Sequence, residues 1–143
     1  MSRAPSDCFT TVMDVRWSDQ DLNGHVNNAQ VLTLVEEARV RAVLSWSGTS
    51  PGPATPRVVR ALNTLYDDEL SYGSVLARVW ISRIGTTSYT VCHELVQQDS
   101  PCVYSEAVIV VLDPESRSPT PLPSELRTQL ERHHFTPLQP SGI

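Results

Sequence analysis

The sequence predicts an α+β fold in which an antiparallel sheet wraps around one long helix. Three observations carry that reading. Prolines and glycines divide the chain into segments, with no proline between Ser6 and Ser50 or between Arg57 and Ser100. One breaker-free stretch, Ala29 to Trp46, repeats apolar residues at helical spacing. Several other segments are strand-like and joined by short turns.

The first element is a strand. Phe9, Thr11, Met13, Val15 and Trp17 alternate with Thr10, Asp14 and Arg16, a period of two that suits a half-buried strand. Asn27 and Asn28 then offer N-cap chemistry for the helix. Within it Val31, Leu34, Val35, Ala38, Ala42 and Trp46 form a stripe, which Leu32, Val43 and Leu44 widen, so the helix should be largely buried. Glu37 and Arg41 stand one turn apart and can pair on the wetter side. A proline-rich loop follows, Gly48 to Pro56. Strands are then expected over Arg57 to Tyr66, Ser74 to Ile84, Thr87 to Val96 and Val103 to Leu112, with fitting residues at Tyr72-Gly73, Gly85-Thr86 and Gln98 to Pro101 between them. Short turns make consecutive strands antiparallel. A second proline-rich segment spans Asp113 to Pro123, and Ser124 is a candidate cap for a short helix over Glu125 to Arg132. No internal repeat is present, and one helix inside a curved sheet is the simplest way to bury its apolar surface.

Size and charge narrow the function. With 143 residues, the chain fits one domain over 1–143, with 1–7 and 136–143 expected to be flexible. A chain of this size buries roughly 68–70 % of its unfolded surface, enough for a core without staples. Apolar residues make up 40 % and charged residues 19 %, a globular balance. No apolar run approaches the ~20 residues of a membrane span. The first residues show no secretory pattern, so a cytoplasmic location without membrane attachment is expected. The net charge is −5 and lysine is absent, which makes nucleic acid a poor partner.

Cys8, Cys92 and Cys102 are an odd count without Cys-x-x-Cys spacing, which disfavours a disulfide framework or a zinc site. All three lie in strand-like segments and are expected to be small buried apolar residues. His93 beside Cys92 does not make a catalytic pair, because neighbours on a strand face opposite ways. His133 and His134, near the end, are expected to be solvated. Arg57, Arg60 and Arg83 are expected to be surface charges.

The chemistry concentrates between the first strand and the helix, in Arg16-Trp-Ser-Asp19-Gln-Asp21-Leu-Asn23-Gly24-His25-Val-Asn27-Asn28. Asx residues and glycine commonly serve only turns and caps. A second reading has a definite mechanism. The first N–H groups of a helix are unpaired and its dipole favours negative charge there. A thioester carbonyl against the Asn28 N–H is polarised as its oxygen becomes an oxyanion; losing one such donor typically costs ~2.7–4 kcal/mol in the transition state. Asp21 can attack the carbonyl or activate a water, and Asn23 and His25 can position either. A thiolate leaves easily, so neither metal nor cofactor is required.

This segment resembles the 4-hydroxybenzoyl-CoA thioesterase-like branch of the hotdog superfamily, whose Asp-x-Asp-x-x-Gly loop is matched by Asp19, Asp21 and Gly24. It is also similar to the Asp-x-Asn-x-His-Val-Asn-Asn core of plant acyl-carrier-protein thioesterases, matched by Asp21, Asn23, His25, Asn27 and Asn28. Ser82 to Ser88 resembles the family's Ile-Gly-x-x-Ser hairpin, and Pro121-Leu-Pro123 its ending. The resemblance implies a hotdog fold and hydrolysis of an acyl-CoA or acyl-carrier-protein thioester. It implies a catalytic Asp21 with Asn23, His25 and Asn28 beside it, and a homodimer or homotetramer with sites at the subunit interface. Gly24 and Gly85, Thr86, Thr87 and Ser88 are candidate substrate-binding residues, the last four beside a pantetheine channel. Ala29, Gln30 and Val31 stand where family members often carry aromatics. Glu36 and Glu37, at the helix position where another hotdog subgroup has its catalytic glutamate, read as surface or interface charges.

Two other functions fit the same fold. Hotdog hydratases use Asp-x-Asn-Pro-x-His, whereas Asp21-x-Asn23-x-His25 is one residue shorter and lacks the proline. A non-catalytic acyl-CoA-binding module would bind the thioester without releasing thiol.

Overall fold

The computed structural model of the protein describes residues 2–48 and 55–136. The elements follow the order β1 (Phe9–Val15), α1 (Asn28–Ser47), β2 (Arg57–Tyr66), β3 (Gly73–Ile84), β4 (Ser88–Gln97), β5 (Ser100–Val111) and α2 (Ser124–Glu131). All five strands join one antiparallel sheet in the order β1-β3-β4-β5-β2, so β1 and β2 form its edges.

β1 ends two residues earlier than the alternation suggests. After Val15 the chain enters a 3-10 turn at Trp17–Asp19, closed by the Asp19 carboxylate, which accepts from the Arg16 N–H at 2.8 Å. Trp17 extends the apolar pattern only as a surface residue, edge-on to Tyr72 at 5.8 Å.

α1 starts and stops where capping chemistry dictates. The Asn27 side chain accepts from the Ala29 N–H at 2.9 Å, and Gly48 closes the helix with φ 72°, its N–H donating to Leu44. The expected Glu37–Arg41 pair forms at 2.8 Å. The helix is less buried than expected. Val31, Val35, Ala38 and Ala42 face the sheet, whereas Val40 and Leu44 stay exposed, because the sheet of one protomer covers one side of α1.

The core lies between α1 and the inner face of the sheet, and Leu122, Leu126 and Leu130 close it at α2. The outer face carries a smaller cluster of Trp80, Cys92 and Tyr104, against which Ala4, Cys8, Leu65 and Phe135 pack. β4, covered on both faces, is therefore buried almost throughout. Of the N-terminal residues expected to be flexible, Ser2 and Arg3 donate hydrogen bonds to the buried Glu94 carboxylate at 2.7 and 2.8 Å. The expected tail beyond Thr136 and the loop over 49–54 lie outside the described residues.

Smaller expectations are corrected by local geometry. Cys8 precedes β1 and is half-buried, while Cys92 and Cys102 are buried in strands. Ser124 is the first residue of α2 rather than its cap, and Pro123 precedes it without a side-chain bond. His133 is half-buried rather than fully solvated, stacked on Trp46 with ring centroids 4.2 Å apart, while His134 is exposed. Arg57 is half-buried under Tyr89 rather than a surface charge, whereas Arg60 and Arg83 are exposed.

Candidate active site

The loop between β1 and α1 is built by its own polar groups. Asp19 is buried and holds Arg16 at 2.9 Å; the Arg16 guanidinium keeps its carboxyl below the usual carboxylate range. Its backbone oxygen accepts from the Asn27 N–H at 3.0 Å, so Asp19 fastens the loop to the helix start. Residues Asp21 to His25 form a tight reversal. The Asp21 N–H donates to the His25 oxygen, and Gly24 N–H donates back to Asp21. Gly24 has φ 79°, the left-handed region where a side chain is strained. The Val26 N–H then donates to Leu70 at 2.8 Å, tying the loop to the β2–β3 connection.

This frame leaves reactive groups facing outward. Asp21 is exposed, and one of its carboxylate oxygens accepts from the Asn23 N–H at 2.8 Å. The turn-forming role read from the sequence is thus present, yet it uses a single oxygen. The Asn28 N–H opens α1 with no hydrogen-bond partner among the described residues, as helix geometry requires of the first N–H. Asp21, Asn23, His25 and Asn28 all line one cleft of about 400 Å³. Gly24 lines the neighbouring cleft with His25 and Glu69.

Sequence reasoning missed the opposite wall. Tyr66, Asp67, Asp68 and Glu69 come from the end of β2 and the connection after it. His25 Nε2 lies 2.7 Å from the Glu69 carboxylate, so the imidazole is oriented by Glu69. The Tyr66 hydroxyl donates to the Asn28 carbonyl at 3.5 Å. The run Asp67-Asp68-Glu69 was the signal available in the sequence, but a charge run is ordinarily a solvated face. These carboxylates make the cleft electronegative and unsuited to phosphate.

The Gly85–Ser88 hairpin is not beside this cleft within one protomer. It joins β3 to β4 at the end away from Gly73, about 35 Å along the strand at ~3.3 Å per residue. There the Gly85 N–H donates to Ser88 at 2.7 Å, and Arg127 donates to the Gly85 oxygen. His93 and Cys92 face opposite sides of β4, as alternation requires: His93 lies under α1 and Cys92 in the outer cluster. No group of three or more His, Cys, Asp or Glu residues suited to a metal ion occurs among the described residues. Nor is any described helix long and apolar enough to cross a membrane.

A strand, a loop rich in polar residues, a long helix and a four-strand remainder define a hotdog domain. The profile of the thioesterase-like superfamily matches residues 15–130, and the chain belongs to that superfamily. Among solved structures it is similar to a predicted thioesterase from Bacillus stearothermophilus, with 29% identity over 90% of this chain and 98% of that one, at a TM-score of 0.83. A 1,4-dihydroxy-2-naphthoyl-CoA thioesterase from Synechocystis shares the fold at 20% identity, covering 85% of this chain and 94% of that one, with a TM-score of 0.76. The SAV2348 protein of Staphylococcus aureus, solved in complex with CoA, shares it at 19% identity over 94% of this chain and 90% of that one, with a TM-score of 0.83. No curated protein matches the chain.

Proposed function

We propose that the protein is an acyl thioesterase that hydrolyses an acyl-CoA or acyl-carrier-protein thioester to the free acid and thiol. One observation carries this: Asp21 and Asn28, whose N–H has no hydrogen-bond partner among the described residues, line the same cleft at the start of α1. A thioester carbonyl seated there has a donor for its developing oxyanion and a carboxylate within the same walls. Asp21 acts on the carbonyl as nucleophile, or as general base toward a water. Asn23 and His25 position the reacting groups, with Glu69 orienting the imidazole. On the general-base route the tetrahedral intermediate collapses to the acid and a thiolate; on the nucleophile route it collapses to a thiolate and a mixed anhydride of the acyl group with Asp21, which water then hydrolyses to the acid and free Asp21, and on either route the thiolate takes a proton. The electronegative cleft accepts the uncharged thioester and leaves the phosphates of CoA outside it.

A second copy completes the proposed site. β2 is an edge strand carrying exposed Val58, Val59 and Leu62, a surface suited to pairing with its own copy. Antiparallel pairing about the middle of β2 sets Arg57 of one copy opposite Tyr66 of the other. It therefore carries the Gly85–Ser88 hairpin of the second copy toward the end of the sheet that bears Asp21. In this reading the whole chain is one hotdog domain acting in the cytoplasm, as at least a homodimer.

The test is release of free thiol from a panel of acyl-CoAs. Asp21→Asn is expected to lose at least a hundredfold in kcat with a thermal melt close to the parent, since exposed positions usually shift stability by no more than ~0.5 kcal/mol. Activity near that of the parent overturns the role of Asp21. Thioester binding without thiol release in the parent identifies a binding module. Loss of enoyl-CoA absorbance without hydrolysis identifies a hydratase.

A further inference from the structure

The β2–β3 connection forms the cleft wall opposite Asp21, and Glu69 on it meets His25. Packing does not fix that pair: the Glu69 side chain is 64 % exposed and that of His25 38 %. Two exposed side chains hold each other only weakly. The place of Glu69 is therefore set by the backbone on either side of it.

Before Glu69, the Asp67 and Asp68 N–H groups both donate to the Cys102 carbonyl, at 2.9 and 3.0 Å. After it, the Leu70 carbonyl accepts from Val26, and the next residue is held by a side chain. The Ser71 N–H donates to Gln97 Oε1 at 2.9 Å, and Gln97 Nε2 donates to the Ser71 carbonyl at 2.8 Å and to the Ser74 carbonyl at 3.3 Å. The primary amide thus pairs with Ser71 as a neighbouring strand would. Its orientation is unique, since a flip sets the NH2 group against the Ser71 N–H. Gln97 is itself buried at the end of β4. The tight turn that follows, with Gln98 and Asp99 both left-handed at φ 52° and 60°, keeps it opposite Ser100. All these bonds lie within one protomer, and β5 separates β4 from the β2 edge, so pairing along β2 uses none of their atoms.

We infer that Gln97 is a positioning residue of the site: by clipping Ser71 to β4 it fixes where Glu69 stands and thereby aims the His25 imidazole. Its effect on rate rests on the proposed hydrolysis; its effect on the His25–Glu69 pair does not.

The experiment joins kinetics to a spectrum. With the acyl-CoA that the parent hydrolyses fastest, Gln97→Met is expected to lower kcat about tenfold or more with KM within about twofold, because only placement is lost. In a Glu69→Gln background the same change is expected to lower kcat by about twofold or less, since the two act through one contact. In a proton–carbon correlation spectrum of the histidine rings without substrate, His25 is identified by its loss in His25→Gln. Its peak is expected to move in Gln97→Met in the direction it moves in Glu69→Gln, while those of His133 and His134 stay in place. Should Gln97→Met fail to fold, Gln97→Glu, which keeps the shape and the acceptor but loses the donor, is expected to move the same peak. A His25 peak at the parental position in every folded Gln97 variant overturns the inference. So does an equal loss of kcat with and without Glu69, or a KM that rises as far as kcat falls, which makes Gln97 a substrate contact. A parent that releases no thiol refutes the hydrolysis instead, and the spectrum then decides this inference alone.

Discussion

Arg39 on α1 donates to Nε2 of His93 on β4 across 3.2 Å, and that contact sets the state of a fully buried imidazole. A guanidinium has no acceptor, so Nε2 must be unprotonated; Nδ1 then carries the hydrogen and donates to the Ser105 carbonyl at 3.0 Å. Burial, with the Arg39 charge adding to it, pulls the His93 pKa down to about 3.

His93 therefore makes the fold sensitive to acid. Its folded value lies below the ordinary 6.5, so the unfolded chain takes up the proton first. The stability it permits is intact above pH ~6.5 and is lost as the pH falls toward about 3. In urea melts at pH 7 and pH 4.5, the parent is expected to lose about 2–3 kcal/mol more between the two than His93→Gln does. Equal losses in the two proteins rule out His93 as the titrating group.

Asn27 caps the helix that presents the Asn28 N–H. Asn27→Ala is expected to cost ~1 kcal/mol and lower the melting temperature by about 3 °C, with Asn27→Ser near neutral. The capping bond to the Ala29 N–H is the cause, so a melt that ranks serine with alanine contradicts it.

The β2 edge gives the assembly its test. By light scattering after gel filtration, the parent is expected at twice the 15.8 kDa protomer mass or more, and Leu62→Asp at the protomer mass. Thiol release is expected to fall together with the mass, because the hairpin of the second copy leaves with it. A parent that is monomeric and fully active refutes the shared site.

Several elements were legible because single residues announce them. β2 runs over Arg57–Tyr66 as read, since proline stops it on one side and three acidic residues on the other. α1 was legible through Asn27 and the absence of a breaker up to Gly48. The polar loop was legible as a cluster, and four of its polar members, Asp21, Asn23, His25 and Asn28, line one cleft. What escaped was set by pairing across the sheet. Glu69 meets His25 from forty-four positions away, and local pattern carries no trace of that approach. Nor does local pattern mark Arg39 on α1, whose partner His93 is brought beneath it by β4. Strand alternation separated His93 from Cys92 but named neither partner.

The strand order also bears on how the chain acquires its shape. β3, β4 and β5 are successive hairpins and can assemble as they leave the ribosome. Phe9, by contrast, pairs with Val79, so the first strand made must wait for seventy further residues before its partner exists. Through that interval the apolar side of β1 and the stripe of α1 have only each other to cover them, which makes the nascent amino-terminal third the segment that chaperones have most reason to hold.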